Sequence, residues 1–199
     1  MVTAGIAAAS SSVPALSGPE ATDSGGSPTA ISLRGHRNVL VGDTVKLRGR
    51  VSPEGSRKVV IRLGGRKLRA QTQSDGTYEA PWRAPGSGVY EARARVDGST
   101  VRSHTIRINA YRPVAASYYG PGLYGGALAC GGTLTAGKLG VAPRTHPCGT
   151  RVTLRYRDRT VTVPVIDRGP YAGNREYDLT EATKAKLGFP STGTVLTTR

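Results

Sequence analysis

The chain has 199 residues and a formal net charge of +15, from 28 basic and 13 acidic side chains. Hydrophobic residues make up only 37%, with 27 Gly and 13 Pro, and this composition favours short strands and turns over long helices. No run of roughly 18 apolar residues is present, so no membrane-spanning helix is expected. Two cysteines outside any CxxC pair and only three histidines argue against a zinc site, and we expect no metal and no cofactor.

The positive charge is concentrated in the first half of the chain. Residues 30–112 carry 17 basic and 6 acidic side chains, whereas residues 113–199 carry 11 and 5. A field of this sign favours polyanions such as nucleic acid, anionic lipid or anionic wall polymers. A basic surface that is simply solvated is the alternative.

Residues 1–29 are small and apolar at first, then rich in Gly, Ser and Pro. Ile6 to Ala9 is typical of the end of a signal-peptide apolar region, and Val13-Pro14-Ala15 fits a small-x-small cleavage site. A basic stretch before the apolar region is missing. We therefore expect the remnant of a signal peptide, truncated at the given start, then a flexible linker, in a secreted or cell-wall-associated protein.

Residues 30–112 show apolar and polar side chains in alternation, interrupted by Gly, Pro and Asp turn signals. This pattern predicts a small antiparallel β-sandwich, immunoglobulin-like in outline. Tyr78 and Trp82 are predicted to lie in its core or on a sheet face. The predicted strands are Val45–Val51, Val59–Leu63, Val89–Val96 and Val101–Ile108, and their exposed arginines are Arg48, Arg50, Arg62, Arg93, Arg95 and Arg107.

A short linker is predicted at residues 111–114, before the second half of the chain. Strands are predicted at 116–119 and 194–197, with a hairpin of 152–156 and 160–166 in which Pro164 indicates an edge or a bulge. Neighbouring tyrosines on a strand point to opposite faces, so one of Tyr118 and Tyr119 should be core and the other free to stack on a sugar or cover the rim. A helix is expected to begin at Asp178 as N-cap, with Glu181 at N3, and to end at Gly188.

Two carboxylates frame a Gly/Pro-rich loop in the segment from Val161 to Leu187. Asp167 follows an apolar strand, and Asp178 precedes the helix. Cleavage of a glycosidic bond needs a carboxylic acid that protonates the leaving oxygen, and either aspartate could supply it. The alternatives are that Asp178 only caps the helix and that Asp167 only accepts backbone N–H groups of its loop.

Residues 116–199 resemble the double-psi β-barrel of the RlpA (rare lipoprotein A) family, whose fold is shared with expansins. The matching segments are ASYYGPGLYG, THPCGTRV, VPVIDRGPYAGNREYDLT and the tail from LGF to GTV. Some members are lytic transglycosylases of the bacterial envelope, acting on peptidoglycan. The resemblance implies an all-β protein in which a six-stranded double-psi barrel with one short helix follows the sandwich. It implies Asp178 and Asp167 as catalytic residues, and Tyr118, Tyr119, Arg168, Tyr171 and Arg175 as substrate-binding residues.

One disulfide, Cys130–Cys148, is expected if the protein is exported, as in the Cys-containing version of this barrel; two free thiols are the alternative. The chain also departs from the family pattern. Gly132 stands where a Glu is expected, Leu128 where a Thr is expected, and Pro143 where a His is expected, with His146 three residues on. Arg168 and Arg175 could bind wall carboxylates or brace their loop.

The sequence thus predicts three segments: residues 1–29, a sandwich at 30–112 and a barrel at 113–199. The predicted protein is a monomer that binds peptidoglycan or another anionic wall polymer and cleaves glycan strands as a lytic transglycosylase. The alternative is an expansin-like module that binds or loosens the wall without turnover. A third hypothesis, binding of nucleic acid or teichoic acid by the sandwich, ranks last because no nucleic-acid motif is present.

Overall fold

The computed structural model describes residues 26–199 and shows an all-β protein with one short helix. The predicted signal-peptide remnant and linker lie outside the described residues, apart from residues 26–29. The strands are β1 (Ala30–Ile31), β2 (Asn38–Leu40), β3 (Thr44–Ser52), β4 (Lys58–Leu63), β5 (Arg66–Gln71), β6 (Thr77–Arg83), β7 (Gly88–Val96), β8 (Ile106–Tyr119), β9 (Val141–Pro143), β10 (Arg151–Tyr156), β11 (Arg159–Pro164), β12 (Tyr177–Thr180) and β13 (Gly193–Thr197), and the helix is α1 (Glu181–Leu187).

Two sheets surround one apolar core in the N-terminal part. One sheet has the order β1-β3-β6; in the other, β5, β4, β7 and β8 are neighbours, and β2 pairs with β8. Alternation places Val45, Leu47 and Val51 of β3 in the core, as the sequence pattern predicts. Tyr78 and Trp82 are 2% and 4% exposed and belong to the same core. The immunoglobulin-like arrangement of this part stays a prediction.

Strand β8 runs without a break from this region into the C-terminal part. Its first residues pair with β7 and β2, and from Arg112 onward it pairs with β13. The predicted linker at residues 111–114 is therefore wrong, because backbone hydrogen bonding to two successive partners keeps this stretch extended. The division into domains at 112/113 stays a prediction, although one apolar cluster ends at Ala110 and the next begins at Val114.

Six strands, from β8 to β13, build the C-terminal part. The predicted hairpin is present as β10 and β11, and β11 lies at the end of the strand order, where Pro164 costs no ladder bond. Strand β12 pairs in parallel with β8 and antiparallel with β9. The core includes fully buried Leu154, Tyr177 and Leu179. Burial of each such side chain contributes about 1.5–3 kcal/mol before chain entropy is counted.

Helix α1 begins two residues later than the sequence pattern predicts. Thr180 is the N-cap and accepts a hydrogen bond from the Thr183 backbone N–H at 3.2 Å. Asp178 is not the N-cap, because the pairing of β12 with β8 and β9 holds it in a strand. The predicted end is confirmed: Gly188 adopts the left-handed conformation at φ 68°. Within residues 26–199, no helix is long and apolar enough to cross a membrane.

Candidate active site

Asp167 leaves the barrel one residue after Ile166 and turns toward the loop that contains Ala129. Its Oδ1 accepts hydrogen bonds from the backbone N–H groups of Ala129 and Arg168, both at 2.9 Å. These two donors fix the carboxylate between its own loop and the loop that holds the first cysteine. Asp167 as a residue is half-buried.

Asp178 lies opposite Ser117 of β8 and Ala142 of β9. The buried Ser117 hydroxyl donates a hydrogen bond to Oδ1 of the Asp178 carboxylate. A hydroxyl can also accept a hydrogen bond, so this partner suits both the ionised and the protonated acid. By contrast, the N–H partners of Asp167 can only donate. The geometry therefore suits Asp178 better than Asp167 for a group that gains and loses a proton.

The loop after Asp167 approaches Asp178. A Cβ placed on Gly169 would lie 3.5 Å from Asp178 Oδ2, so this glycine lets the backbone pass close to the carboxylate. The structure thus brings Asp167 and Asp178 to one region of the barrel.

Tyr119 lies in the same region as the two aspartates. Burial raises the pKa of the Tyr119 hydroxyl, and the carboxylates of Asp167 and then Asp178 raise that pKa further. The charge of Asp167 acts on this hydroxyl, yet no hydrogen bond of normal geometry joins it to any described residue, although its oxygen is buried. The site therefore contains one protonated phenol beside Asp167 whose hydroxyl forms no hydrogen bond of normal geometry with the described residues.

The other predicted aromatic residues lie farther out. Tyr118 packs partly on the barrel core, and Lys184 Nζ lies 4.2 Å from its ring centroid. Tyr171 is 81% exposed on the loop after Gly169. Tyr124, 43% exposed, was not predicted: it comes within 3.1 Å of a Cβ placed on Gly120, the residue after Tyr119. The sequence signal that could have identified Tyr124 is an aromatic residue within a Gly-rich loop. For Ser117, which was also not predicted, the sequence holds no such signal.

The guanidinium groups of the two predicted arginines form no hydrogen bond or ion pair with the two carboxylates among the described residues. Arg168 donates to Cys148 Sγ and to its neighbour's carbonyl oxygen, Asp167 O, both at 3.2 Å. The backbone oxygen of Arg175 accepts a hydrogen bond from the Arg144 guanidinium at 3.0 Å. The buried Nε of Arg175 has no hydrogen bond with the described residues. Within residues 26–199, neither Asp167 nor Asp178 forms an ion pair.

The predicted disulfide is present and lies beside the Asp167 loop. Cys130 is bonded to Cys148, with a Cα–Cα distance of 5.5 Å. The backbone N–H of Cys130 donates to Ile166 O at 3.1 Å, next to Asp167. The bridge therefore fixes the loop whose Ala129 N–H binds the Asp167 carboxylate.

The positions that depart from the family pattern have physical reasons to do so. Gly132 has φ 78° in a turn in which the Leu128 N–H donates to Gly132 O and the Gly131 N–H donates to Leu128 O. A Glu at position 132 would be strained, because side chains rarely tolerate this φ. Leu128 is buried in a small cluster with Leu134 and Ile166. Pro143 pairs with Tyr177, whereas Ala142 is the residue opposite Asp178.

His146 does not take the place of the expected His. Its Nε2 lies 3.3 Å from the Tyr177 hydroxyl, and the two rings meet edge to face at 5.8 Å. Burial lowers the pKa of His146, Arg199 and Arg112 lower it further, and Glu176 acts in the opposite direction. None of these groups is one of the two site aspartates. Among the described residues, no three His, Cys, Asp or Glu side chains form a cluster that could hold a metal ion.

A family model described as "Lytic transglycolase" matches residues 113–198. The endolytic peptidoglycan transglycosylase RlpA of Campylobacter jejuni is 34% identical over 107 residues, which cover 48% of this chain and 39% of that protein. RlpA of Pseudomonas aeruginosa is 41% identical over 88 residues, 43% of this chain and 26% of the relative. RlpA of Neisseria meningitidis serogroup B is 37% identical over 135 residues, 62% and 56% of the two chains. The chain thus spans between about a quarter and just over half of these relatives.

Two solved structures are also similar. The Streptomyces papain inhibitor has a TM-score of 0.35 and 28% identity, and the match covers 45% of this chain and 94% of the inhibitor. The CARDB domain of a Pyrococcus furiosus protein has a TM-score of 0.33 and 16% identity, covering 42% and 93%. At these TM-scores neither structure informs the fold of this chain.

Proposed function

Because residues 113–198 belong to the RlpA-like double-psi β-barrel family, we propose that this part of the chain binds peptidoglycan glycan strands and cleaves them by transglycosylation. The observation that carries the proposal is the contact of Asp178 with Ser117 beside Gly169, on the loop that begins at Asp167. Relatives named as peptidoglycan transglycosylases support the substrate class, and the disulfide supports an exported protein that acts at the wall.

The proposed reaction needs one residue that first donates a proton and then takes one back. Asp178, protonated, gives its proton to the glycosidic oxygen as the bond to the anomeric carbon breaks. The C6 hydroxyl of the same sugar then attacks that carbon, and its proton returns to Asp178. The products are an anhydro sugar end and a new free sugar end, with no water consumed and the acid restored.

The remaining site residues act on this step through position and charge. Asp167, fixed by Ala129 and Arg168 N–H groups, supplies negative charge where the anomeric carbon becomes positive. The Tyr119 hydroxyl, which is protonated and forms no hydrogen bond of normal geometry with the described residues, donates a hydrogen bond to a bound sugar oxygen. Tyr124 and Tyr171, both exposed, are placed to stack on neighbouring sugar rings.

A wall-binding module without turnover is the second candidate, and a specific observation favours it. Gly132 and Pro143 replace the expected Glu and His, and His146 contacts Tyr177 rather than either aspartate. In this case the surface around Asp167 and Asp178 binds glycan and releases it unchanged, as expansins loosen walls without marked hydrolysis.

The two candidates are separated by incubating the full chain with peptide-free glycan strands and analysing soluble products by mass spectrometry. Transglycosylation predicts anhydro sugar ends that accumulate with time. Pull-down with insoluble peptidoglycan but no anhydro product from folded protein would support the binding module and contradict the proposed activity.

A further inference from the structure

The outer face of the sheet β5-β4-β7-β8 carries a dense group of basic side chains. Strand register places Lys67 opposite Arg62 and Arg62 opposite Arg93, in a row across three strands. A second row contains Arg69 and Arg95, and Arg102 pairs with Arg95. We call this surface the arginine face; its charged residues are Lys58, Arg62, Lys67, Arg69, Arg93, Arg95, Arg102 and Arg107, with Glu91 and Asp97 as its acids.

The charge on this face is largely unpaired. Among the described residues, Arg62, Lys67 and Arg69 form no ion pair and no side-chain hydrogen bond, and Arg95 with Asp97 is the pair on this face. Arg93 uses its Nε to bind Ser103 O at 3.0 Å, which leaves its two terminal nitrogens available.

The outer face of β3 and β6 is different, because three of its basic residues, Lys46, Arg48 and Arg50, form ion pairs. Glu79 binds Lys46 at 3.0 Å and Arg48 at 2.7 Å. Arg50 lies 3.4 Å from Glu54 and 3.5 Å from Asp75. The sequence predicted one arginine-rich exposed surface, but the structure separates a paired face from an unpaired one.

Two depressions on the arginine face are lined mainly by charged side chains. One cavity measures ≈ 520 Å³ and is lined by Arg62, Arg93, Arg95 and Arg102. The other measures ≈ 400 Å³, and its charged lining includes Lys67 and one acid, Glu91. Arg62 and Arg93 line both cavities, so the two form a continuous basic track. Guanidinium groups match phosphate oxygens with paired N–H donors.

We propose that the arginine face binds a linear phosphodiester polymer that has no bases, of the poly(glycerol phosphate) type. Basic side chains recur about every 4.8 Å across the strands and about every 6.8 Å along them, which suits a chain with one charge per short repeat. The face has no aromatic side chain among its described residues, since Tyr90 of β7 packs on Trp82 with ring centroids 5.1 Å apart. Single-stranded nucleic-acid sites usually stack bases on aromatic rings, so a polymer without bases fits better.

The test measures binding of fluorescently labelled poly(glycerol phosphate) to the full chain by anisotropy. Arg62→Gln/Arg93→Gln should weaken binding about 10-fold at physiological salt and lower the slope of log affinity against log salt by about 1.5, since two phosphate contacts are lost. The matched control, Lys46→Gln/Arg50→Gln, removes the same charge from the paired face and should change affinity less than about 2-fold.

Three outcomes would overturn the proposal: no binding by the wild-type chain, equal weakening in both double variants, or tighter binding of an oligo(dT) of equal charge. The last would identify a nucleic-acid surface instead. Polymer binding by the arginine face does not depend on glycan cleavage by the barrel. Glycan-strand cleavage measured on the same variants should be unchanged, so failure of one proposal is distinguishable from failure of the other.

Discussion

Ser117 and Asp178 face each other across the parallel pairing of β8 with β12, and the Ser117 hydroxyl contacts Oδ1 of Asp178. Ser117 is 8% exposed, so this hydroxyl has little access to water as an alternative partner. The pairing fixes the orientation of the carboxylate that the proposed reaction uses as its acid.

Loss of the Ser117 hydroxyl should therefore reduce turnover. We expect Ser117→Ala to lower the rate of anhydro product release about 10-fold and stability by about 1 kcal/mol, the net contribution of one hydrogen bond. Ser117→Thr keeps the hydroxyl and should retain most of the rate. Rates on glycan strands and urea unfolding check both values. Equal loss in the Ala and Thr variants would mean that packing, not the hydroxyl, matters at this position.

The Tyr119 hydroxyl should contribute to glycan binding or turnover and little to the stability of the free protein. Its hydroxyl makes no hydrogen bond of normal geometry with the described residues, so Tyr119→Phe should leave the melting temperature almost unchanged. A donor that engages only the sugar predicts a loss of about 10-fold in turnover or affinity. Tyr156→Phe is the matched control and should change neither quantity, because this tyrosine packs on Phe189 and on the barrel core. A rate unaffected by Tyr119→Phe would remove this residue from the site.

The environment of His146 predicts a pH dependence of stability. Burial, with Arg199 and Arg112, lowers the pKa of His146 below its ordinary value near 6.5. The unfolded chain then binds the proton more readily, so stability is full above about pH 6.5 and falls as the pH decreases toward the folded-state pKa. Unfolding free energies at pH 7.5 and 5.5 should differ for the wild type and differ less for His146→Phe. An identical pH dependence in both proteins would contradict this assignment.

Restoring the expected Glu at position 132 should not raise activity. Gly132 has φ 78°, where a side chain with a Cβ is strained, so Gly132→Glu should cost about 1 kcal/mol of stability. Gly137→Glu is a suitable control, since a Cβ there meets nothing within 4 Å and its φ is not in the left-handed region. Thermal melts and product release compare the two. A clear gain in turnover for Gly132→Glu would show that the turn tolerates the residue and that the missing Glu limits catalysis.

The sequence predicts the parts of the fold that depend on local patterning. Alternation located β3, β4 and β7, and Gly188 correctly marked the end of α1. The start of α1 was wrong because Asp178 and Thr180 are both good N-cap residues, and only the strand pairing of β12 decides between them. The linker at residues 111–114 was wrong for a similar reason, since continuous pairing of β8 with two sets of partners is a tertiary property.

The candidate site could be proposed from the sequence where the residue type itself indicates the chemistry. Asp167 and Asp178 were named from the sequence, and the structure brings both near Tyr119. Ser117 was missed because a serine in an apolar strand carries no sign of its partner, which comes from a strand 61 residues away. The roles assigned to Arg168 and Arg175 stay predictions.

Exchange of one carboxylate tests the proposed reaction most directly. Asp178→Asn removes the acid with little change in shape, and Asp158→Asn makes the same change in the exposed turn between β10 and β11. We expect Asp178→Asn to reduce anhydro product release from peptide-free glycan strands at least about 100-fold, as for loss of a general acid, while it keeps its fold and its binding to peptidoglycan. Asp158→Asn should retain the wild-type rate. Product release by Asp178→Asn at the wild-type rate would contradict the assignment of Asp178 as the proton donor.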